Sequence, residues 1–342
     1  MISQPTDPRP QRALRLATGV AVATGVAYGL EFPVPFIAPV LALFLLATRV
    51  QPLPLNAIVG LPVLATLTTS TGLLLIPVLQ YAAVSGVLLV GLAMFLCFRY
   101  LLSGGNALPA MFLVIGLTLI SAAGTTSFAI AATVIEALAK GLLLAGLTVG
   151  VSHRSFPEPA DARAAPPAPA IPDIDVARIA PRATLVVLPS FLLALTNPAT
   201  YMPLIMKSVA LGQQARATSA RDAAREILGA TLLGGLLAVA FWGGLKIFPH
   251  LWMFFLWTLL ISLLFARKLY ALRPTRLSPG LWLNALTTMF ILLGQSVQNA
   301  AAGKDVYTAF LVRMSLFVAV TLYACAMIYL IDTRREVRRA TV

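Results

Sequence analysis

The chain has 342 residues, 59% hydrophobic and 11% charged, with a formal net charge of +13 and a mean hydropathy of +0.89. This excludes an ordinary soluble domain, which needs far more polar side chains to cover its surface. Long continuous apolar runs also exclude a transmembrane β-barrel, whose strands alternate apolar and polar residues over about ten positions. The reading is an all-α, polytopic helical membrane protein.

The first apolar run, residues 13–30, follows Arg9 and Arg12 and contains Arg15. Its length suits a signal-peptide core or a first membrane helix. No small-residue cleavage site follows it, and the many later spans favour the uncleaved helix. Further spans are expected near 36–48, 55–70, 73–98, 108–122 and 128–151. After a Pro/Ala-rich interval come 184–196, 203–213, 227–248, 251–266, 281–298 and 310–331. Several are shorter than the roughly 20 residues that cross a bilayer untilted, which points to tilted, broken or re-entrant segments early in each half.

Cation placement orients these twelve segments. Starting with the N-terminus inside, loops after even-numbered spans hold Arg49, Arg99, Arg154, then Arg216, Arg221 and Arg225, then the basic stretches 267–276 and 334–339. The opposite loops hold only Lys246 and Lys304. Both termini are therefore expected in the cytoplasm. The positive charge is orientation charge spread over short loops, and the reading includes no nucleic-acid partner.

Matching features recur in the two halves: Arg15 with Arg182, Pro33 with Pro198, Asn106 with Asn284, Met111 with Met289, and Lys140 with Arg313. The expected organisation is a first membrane repeat over 1–151, a Pro/Ala-rich cytoplasmic linker over 152–182, a second repeat over 183–332 and a basic tail over 333–342. Six segments before the linker make the repeats parallel. The small-residue pairs Ala230/Gly234 and Thr231/Gly235 are read first as packing within the monomer, with contact between copies in a homo-oligomer as the alternative.

The proline-broken stretches Glu31–Pro39 and Asn197–Lys207 occupy matching places, which in membrane transporters points to a substrate site. Pro33 and Pro39 from the first, and Pro198, Thr200, Tyr201 and Lys207 from the second, are its candidate residues. Lys207 has only uncharged neighbours within a helical turn in sequence, and its repeat counterparts near Ala42 and Leu43 are apolar. Binding the anionic group of a substrate and snorkelling to the interface are both open readings. Glu136 and Lys140 lie four residues apart on the sixth span, where a helix-packing ion pair and a role in proton coupling stand equal. Arg313 holds the place equivalent to Lys140, with Asp305 its nearest acidic candidate in sequence. Cys97 and Cys325 both sit in apolar runs, and His153 and His250 fall on opposite membrane sides in this topology. Neither a metal centre nor a disulfide framework is expected. No phosphate loop surrounds Gly303-Lys304, so no cofactor is implied and the reading is not an enzyme.

Residues 221–235, with Arg225, Gly229, Thr231 and Gly234, resemble the Arg, Gly-Thr, Gly helix opening of the fusaric acid resistance and aromatic acid exporter superfamily. The spacing differs by one residue between Arg225 and Gly229 and by Ala230 before Thr231. Asn197-Pro198, Leu211-Gly212-Gln213-Gln214, residues 251–255 and residues 303–307 are similar to an uncharacterised bacterial inner-membrane branch of that superfamily. The resemblance implies a secondary efflux subunit for small amphiphiles or aromatic acids, proton-driven, working with a periplasmic membrane-fusion adaptor. Two alternatives remain: a non-transporting membrane scaffold for an adaptor, and a membrane-embedded enzyme.

Overall fold

The structure is a computed structural model that describes residues 7–158, 173–213, 220–303 and 305–340. Among these residues there are helices and no strands. We number the helices α1 (Arg9–Gly29), α2 (Ile37–Thr48), α3 (Leu55–Tyr81), α4 (Ala83–Leu102), α5 (Ala107–Thr126) and α6 (Phe128–Ser155). They continue as α7 (Asp173–Thr196), α8 (Pro198–Gln213), α9 (Ala220–Ile247), α10 (Leu251–Leu269), α11 (Pro279–Ala301) and α12 (Val306–Ala340).

Nine described helices are long and apolar enough to cross a membrane: α3 to α7 and α9 to α12. The others are α1 and the two short helices α2 and α8, of 12 and 16 residues. The chain is therefore a multi-pass helical membrane protein, with its short helices early in each half. Residues 152–155 of the expected linker finish α6 and residues 173–182 begin α7, while residues 159–172 lie outside the described residues.

Local chemistry explains several helix ends. Ser278 accepts from the Leu281 N–H at 3.2 Å and Pro279 takes the first turn of α11, where its missing N–H costs nothing. The end of α10 wraps through Ala271 at φ +55, with the Leu272 N–H on the Arg267 carbonyl at 2.8 Å and the Ala271 N–H on Lys268. That pair of bonds is a Schellman closure, formed here without the usual glycine. Between α3 and α4 the chain breaks at Ala82, whose φ −138 and ψ 64 are non-helical.

Two compact units divide the chain: residues 1–63, 137–167 and 229–311 form unit 1, and residues 64–136, 168–228 and 312–342 form unit 2. Within unit 1, α1 packs on α2 and α10, and α11 packs on α10 and α2. Within unit 2, α7 packs on α8 and α4, and α5 packs on α4 and α8, with α7 also touching α5. The four neighbour pairs are the same in each unit. Each unit draws on both halves of the sequence, and the unit boundaries fall inside α3, α6, α9 and α12.

Lipid competes with apolar side chains for helix surfaces, so close backbone approach carries much of the cohesion inside each unit. In unit 1, Gly234 of α9 lies where an added Cβ would come within 2.6 Å of the Ala285 carbonyl oxygen of α11. The small face of α9 thus packs within the monomer at this position. Gly294 of α11 is similarly filled by the Phe36 side chain next to α2. In unit 2 a 3₁₀ stretch of α3, Thr71–Leu75, packs on a π-helical stretch of α5, Gly116–Ile120. A Cβ on Gly72 would fall onto the Gly116 carbonyl oxygen, and one on Gly116 would lie 2.8 Å from the Thr69 Cα. The obstacle is backbone and cannot swing aside.

Gly72→Ala should therefore destabilise the protein by ~3 kcal/mol, the upper range for overpacking, read as a lowered thermal midpoint in detergent. Gly60 has open space around it. Gly60→Ala should leave the midpoint unchanged or raise it, because alanine is the better helix former. Equal midpoints for Gly72→Ala and the parent protein would contradict the crossing.

Candidate functional site

In unit 2 the interrupted backbone and the candidate cation lie in the same group of helices. Asn197 begins α8: its carbonyl accepts from the Tyr201 N–H at 3.1 Å, and both it and its side-chain oxygen receive the Thr200 N–H. Pro198 takes the first helical position. The helix expected to start at 203 therefore starts at Pro198, so Thr200 and Tyr201 lie in its first turn and Pro203 lies inside it. This shifts Lys207 from the first turn expected for it to nearly three turns into α8.

Lys207 is buried, with 4% relative exposure, and its neighbour Ser208 is fully buried with its hydroxyl on the Ile205 carbonyl. Pro198 is buried, while Thr200 and Tyr201 are half-buried. Helix α8 packs against α7 and along α5, including the π-helical stretch. That stretch is buried throughout, and Thr118 and Ser121 return their hydroxyls to the carbonyls of Val114 and Leu117. A π-turn leaves the regular hydrogen-bond ladder and recurs at functional sites. In lipid such backbone is tolerated only against protein or a water-lined cavity.

The other candidates lie elsewhere. Pro33 and Pro39 belong to unit 1: Pro33 is exposed in the turn between α1 and α2, and Pro39 is buried inside α2. Glu136 and Lys140 are both exposed on α6, Glu136 in unit 2 and Lys140 in unit 1. Asp305 opens α12 by accepting from the Tyr307 N–H at 3.1 Å and from the Thr308 hydroxyl and N–H. The Thr308 hydroxyl and these N–H groups hold its carboxyl below the usual range, and Lys246 adds to the effect. Asp305 is thus engaged as a helix cap. Arg313 is half-buried on α12 in unit 2. Lys304, Arg216 and Gln214 lie outside the described residues.

Sequence reasoning missed a second polar centre, in unit 1. Arg15 on α1 is buried, at 1% exposure, and its Nη1 donates to Glu158 Oε2 at 2.7 Å. Arg12, one turn earlier, donates to Oε1 of the same carboxylate. Burial pushes the Glu158 carboxyl up, but the hydrogen bonds and charge of Arg12 and Arg15 outweigh it and hold the carboxyl below the usual range. Nearby, His153 places Nδ1 2.9 Å from the Val149 carbonyl and Nε2 3.2 Å from that of Val50. A neutral ring donates to one of them; the imidazolium donates to both. Tyr270 faces the Leu46 carbonyl at 3.5 Å, and burial pushes its phenol up to about 12. In the sequence the arginines were legible only as the basic start of the first span and, for Arg15, as the repeat match of Arg182, because their partner is 143 residues or more away.

A family model described as a protein of unknown function (DUF2955) matches residues 12–151. No curated protein and no solved structure matches the chain.

Glu158→Gln should cost ~3 kcal/mol at neutral pH, since breaking a buried pair leaves the guanidinium without its counter-charge. Because the folded carboxyl titrates below its unfolded value near ~4.3, the stabilisation is fully present above that pH and fades as pH falls through the folded value. The thermal midpoints of the two proteins should therefore converge in acid. A pH-independent gap would assign the effect to packing.

Proposed function

We propose that this chain is an inner-membrane efflux subunit that exports small amphiphilic or aromatic carboxylates, with Lys207 binding the substrate's anionic group. The observation that carries this reading is an asymmetry between two similar helix groups. In unit 2, a buried lysine sits on a helix packed against the interrupted α5, and α5 in turn packs on the interrupted part of α3. In unit 1, the places corresponding to Lys207 are the buried Ala42 and Leu43, and α9 and α11, the counterparts of α3 and α5, run unbroken. A cation required for insertion or packing alone would serve either copy; a single anion site needs one. A buried ionisable group in a membrane helix is a functional candidate by default, and discontinuous helices recur at transporter substrate sites.

In this reading the sequence halves are parallel repeats that exchange helices: the first two of each pack with the fourth and fifth of the other. The likeness to aromatic acid exporters supports the carboxylate class and a periplasmic adaptor.

Lys207→Met should reduce efflux of anionic aromatic acids from cells at least ~10-fold at matched membrane abundance, a loss of ~1.4 kcal/mol or more in transition-state binding. Lys207→Arg should retain part of it. Transport equal to the parent by the Met variant would leave Lys207 a structural residue and sink the site.

Orientation with both termini in the cytoplasm follows from the cation asymmetry of the loops. A reporter fused at Gly303 should read the periplasm, and one at Gly104 the cytoplasm. A cytoplasmic signal at Gly303 would remove the twelve-segment arrangement and the exchange of helices with it.

A further inference from the structure

We infer that Arg12 and Arg15 form a binding site for a free organic monocarboxylate, and that Glu158 is its tethered occupant in this structure. The inference stands on unit 1 alone and is independent of the transport reading.

Three observations carry it. First, among the described residues two guanidiniums share one carboxylate, which leaves a surplus positive charge; the side chains of Arg15 and Glu158 are only 2% and 11% exposed, and that of Arg12 is 24% exposed. Surplus buried charge is costly, and an anion relieves it. Second, the Arg15 Nε has no hydrogen-bond partner among the described residues. The buried guanidinium thus has a donor that Glu158, held through Nη1, does not use. Arginine presents its donors as a planar fork suited to two-point recognition of a carboxylate. Third, Glu158 is held differently from the arginines. They stand on α1, whereas Glu158 follows the end of α6, where the Phe156 N–H bonds to the Ser152 carbonyl and the described chain is non-helical through Pro157 and Glu158. The carboxylate is therefore presented by a short irregular segment through its side chain.

A tethered ligand competes as an intramolecular one, at an effective concentration on the order of millimolar for a short flexible connection. A free carboxylate must outcompete it in the parent protein and need not once the tethered carboxylate is gone. A monocarboxylate is favoured over a phosphate because the group seated between the guanidiniums is itself a singly charged, planar carboxylate.

The test is chemical rescue of the full-length protein in detergent, read as thermal midpoint against added sodium acetate or sodium benzoate, with sodium chloride at equal ionic strength as control. In Glu158→Gln, acetate or benzoate should restore part of the lost midpoint at a concentration at least ~10-fold below any effect on the parent protein. Glu158→Asp, which keeps the charge on a shorter arm, should respond in between, and it carries the test if the Gln variant does not fold. Adding Arg15→Met to either variant should abolish the response. The inference is overturned if neither carboxylate rescues either variant, or if rescue survives Arg15→Met. It is also overturned if inorganic phosphate, or phosphatidylglycerol in mixed micelles, rescues where the carboxylates do not; that result would make this a phosphate or lipid-headgroup site.

Discussion

In an apolar solvent, burying more apolar surface gains a helix little, so each unit depends on how closely backbones approach and on whether every polar group is satisfied internally. Glycine supplies the approach at Gly72 and Gly116 in unit 2 and at Gly234 and Gly294 in unit 1. Hydroxyls supply the satisfaction by returning to the preceding turn: Thr24 to Val20, Thr69 to Ala65, and Ser296 to Leu292. Such bonds keep a polar side chain inside an apolar helix without a partner on another helix, which leaves small residues free to set the spacing. They can also bend the helix that makes them. The run from Thr66 to Ser70 precedes the tightened 3₁₀ turn of α3, where backbone geometry changes over five residues.

That run also explains where the sequence misleads. The run Thr68-Thr69-Ser70-Thr71-Gly72 ends one expected span at residue 70 and starts the next at 73, whereas α3 continues to Tyr81 and the break is at Ala82. The hydroxyls of Thr68, Thr69 and Thr71 bond to carbonyls of their own helix, so the polar composition carries no requirement for water. The same logic shifts the start of α8. Two prolines suggest a helix opening at Pro203, but Asn197 caps the first turn and Pro198 fits its first position, so the helix begins five residues earlier. Membrane character, helix existence and the shortness of α2 and α8 were legible because they rest on composition and run length. Helix ends were not, because they rest on single hydrogen bonds.

The candidate residues divide along the same line. Lys207 stood out because a cation is costly anywhere in an apolar run, whatever the fold. Glu136 and Lys140 stood out for the same reason, yet both are exposed on α6, so spacing located the pair on the helix without showing which way it faces. Glu158 was hidden. It lies among charges of both signs in a Pro-rich stretch, and only the fold brings it to Arg12 and Arg15. Asp305 was visible as an acid near Arg313, but its position one residue before α12 gives it the N–H groups of that helix to bind.

The interleaving of sequence halves bears on how asymmetry arises in such a chain. Helices α1 and α2 find in α10 and α11 the same neighbour pairs that α7 and α8 find in α4 and α5. Each four-helix group therefore mixes residues from both halves, and a single substitution changes one group while leaving the other as it was. Lys207 on α8 and the π-turn on α5 come from opposite halves of the sequence, yet both lie in unit 2. Neither has a counterpart in unit 1, where Ala42 and Leu43 are buried and α11 is continuous. Both groups thus keep a buried arginine on their first helix, Arg15 on α1 and Arg182 on α7, and unit 2 adds a buried lysine on a helix packed against irregular backbone. The shared arginine fits a packing or orientation requirement common to both groups, whereas Lys207 and the π-turn belong to unit 2 alone. The difference therefore points to a requirement that only one group meets.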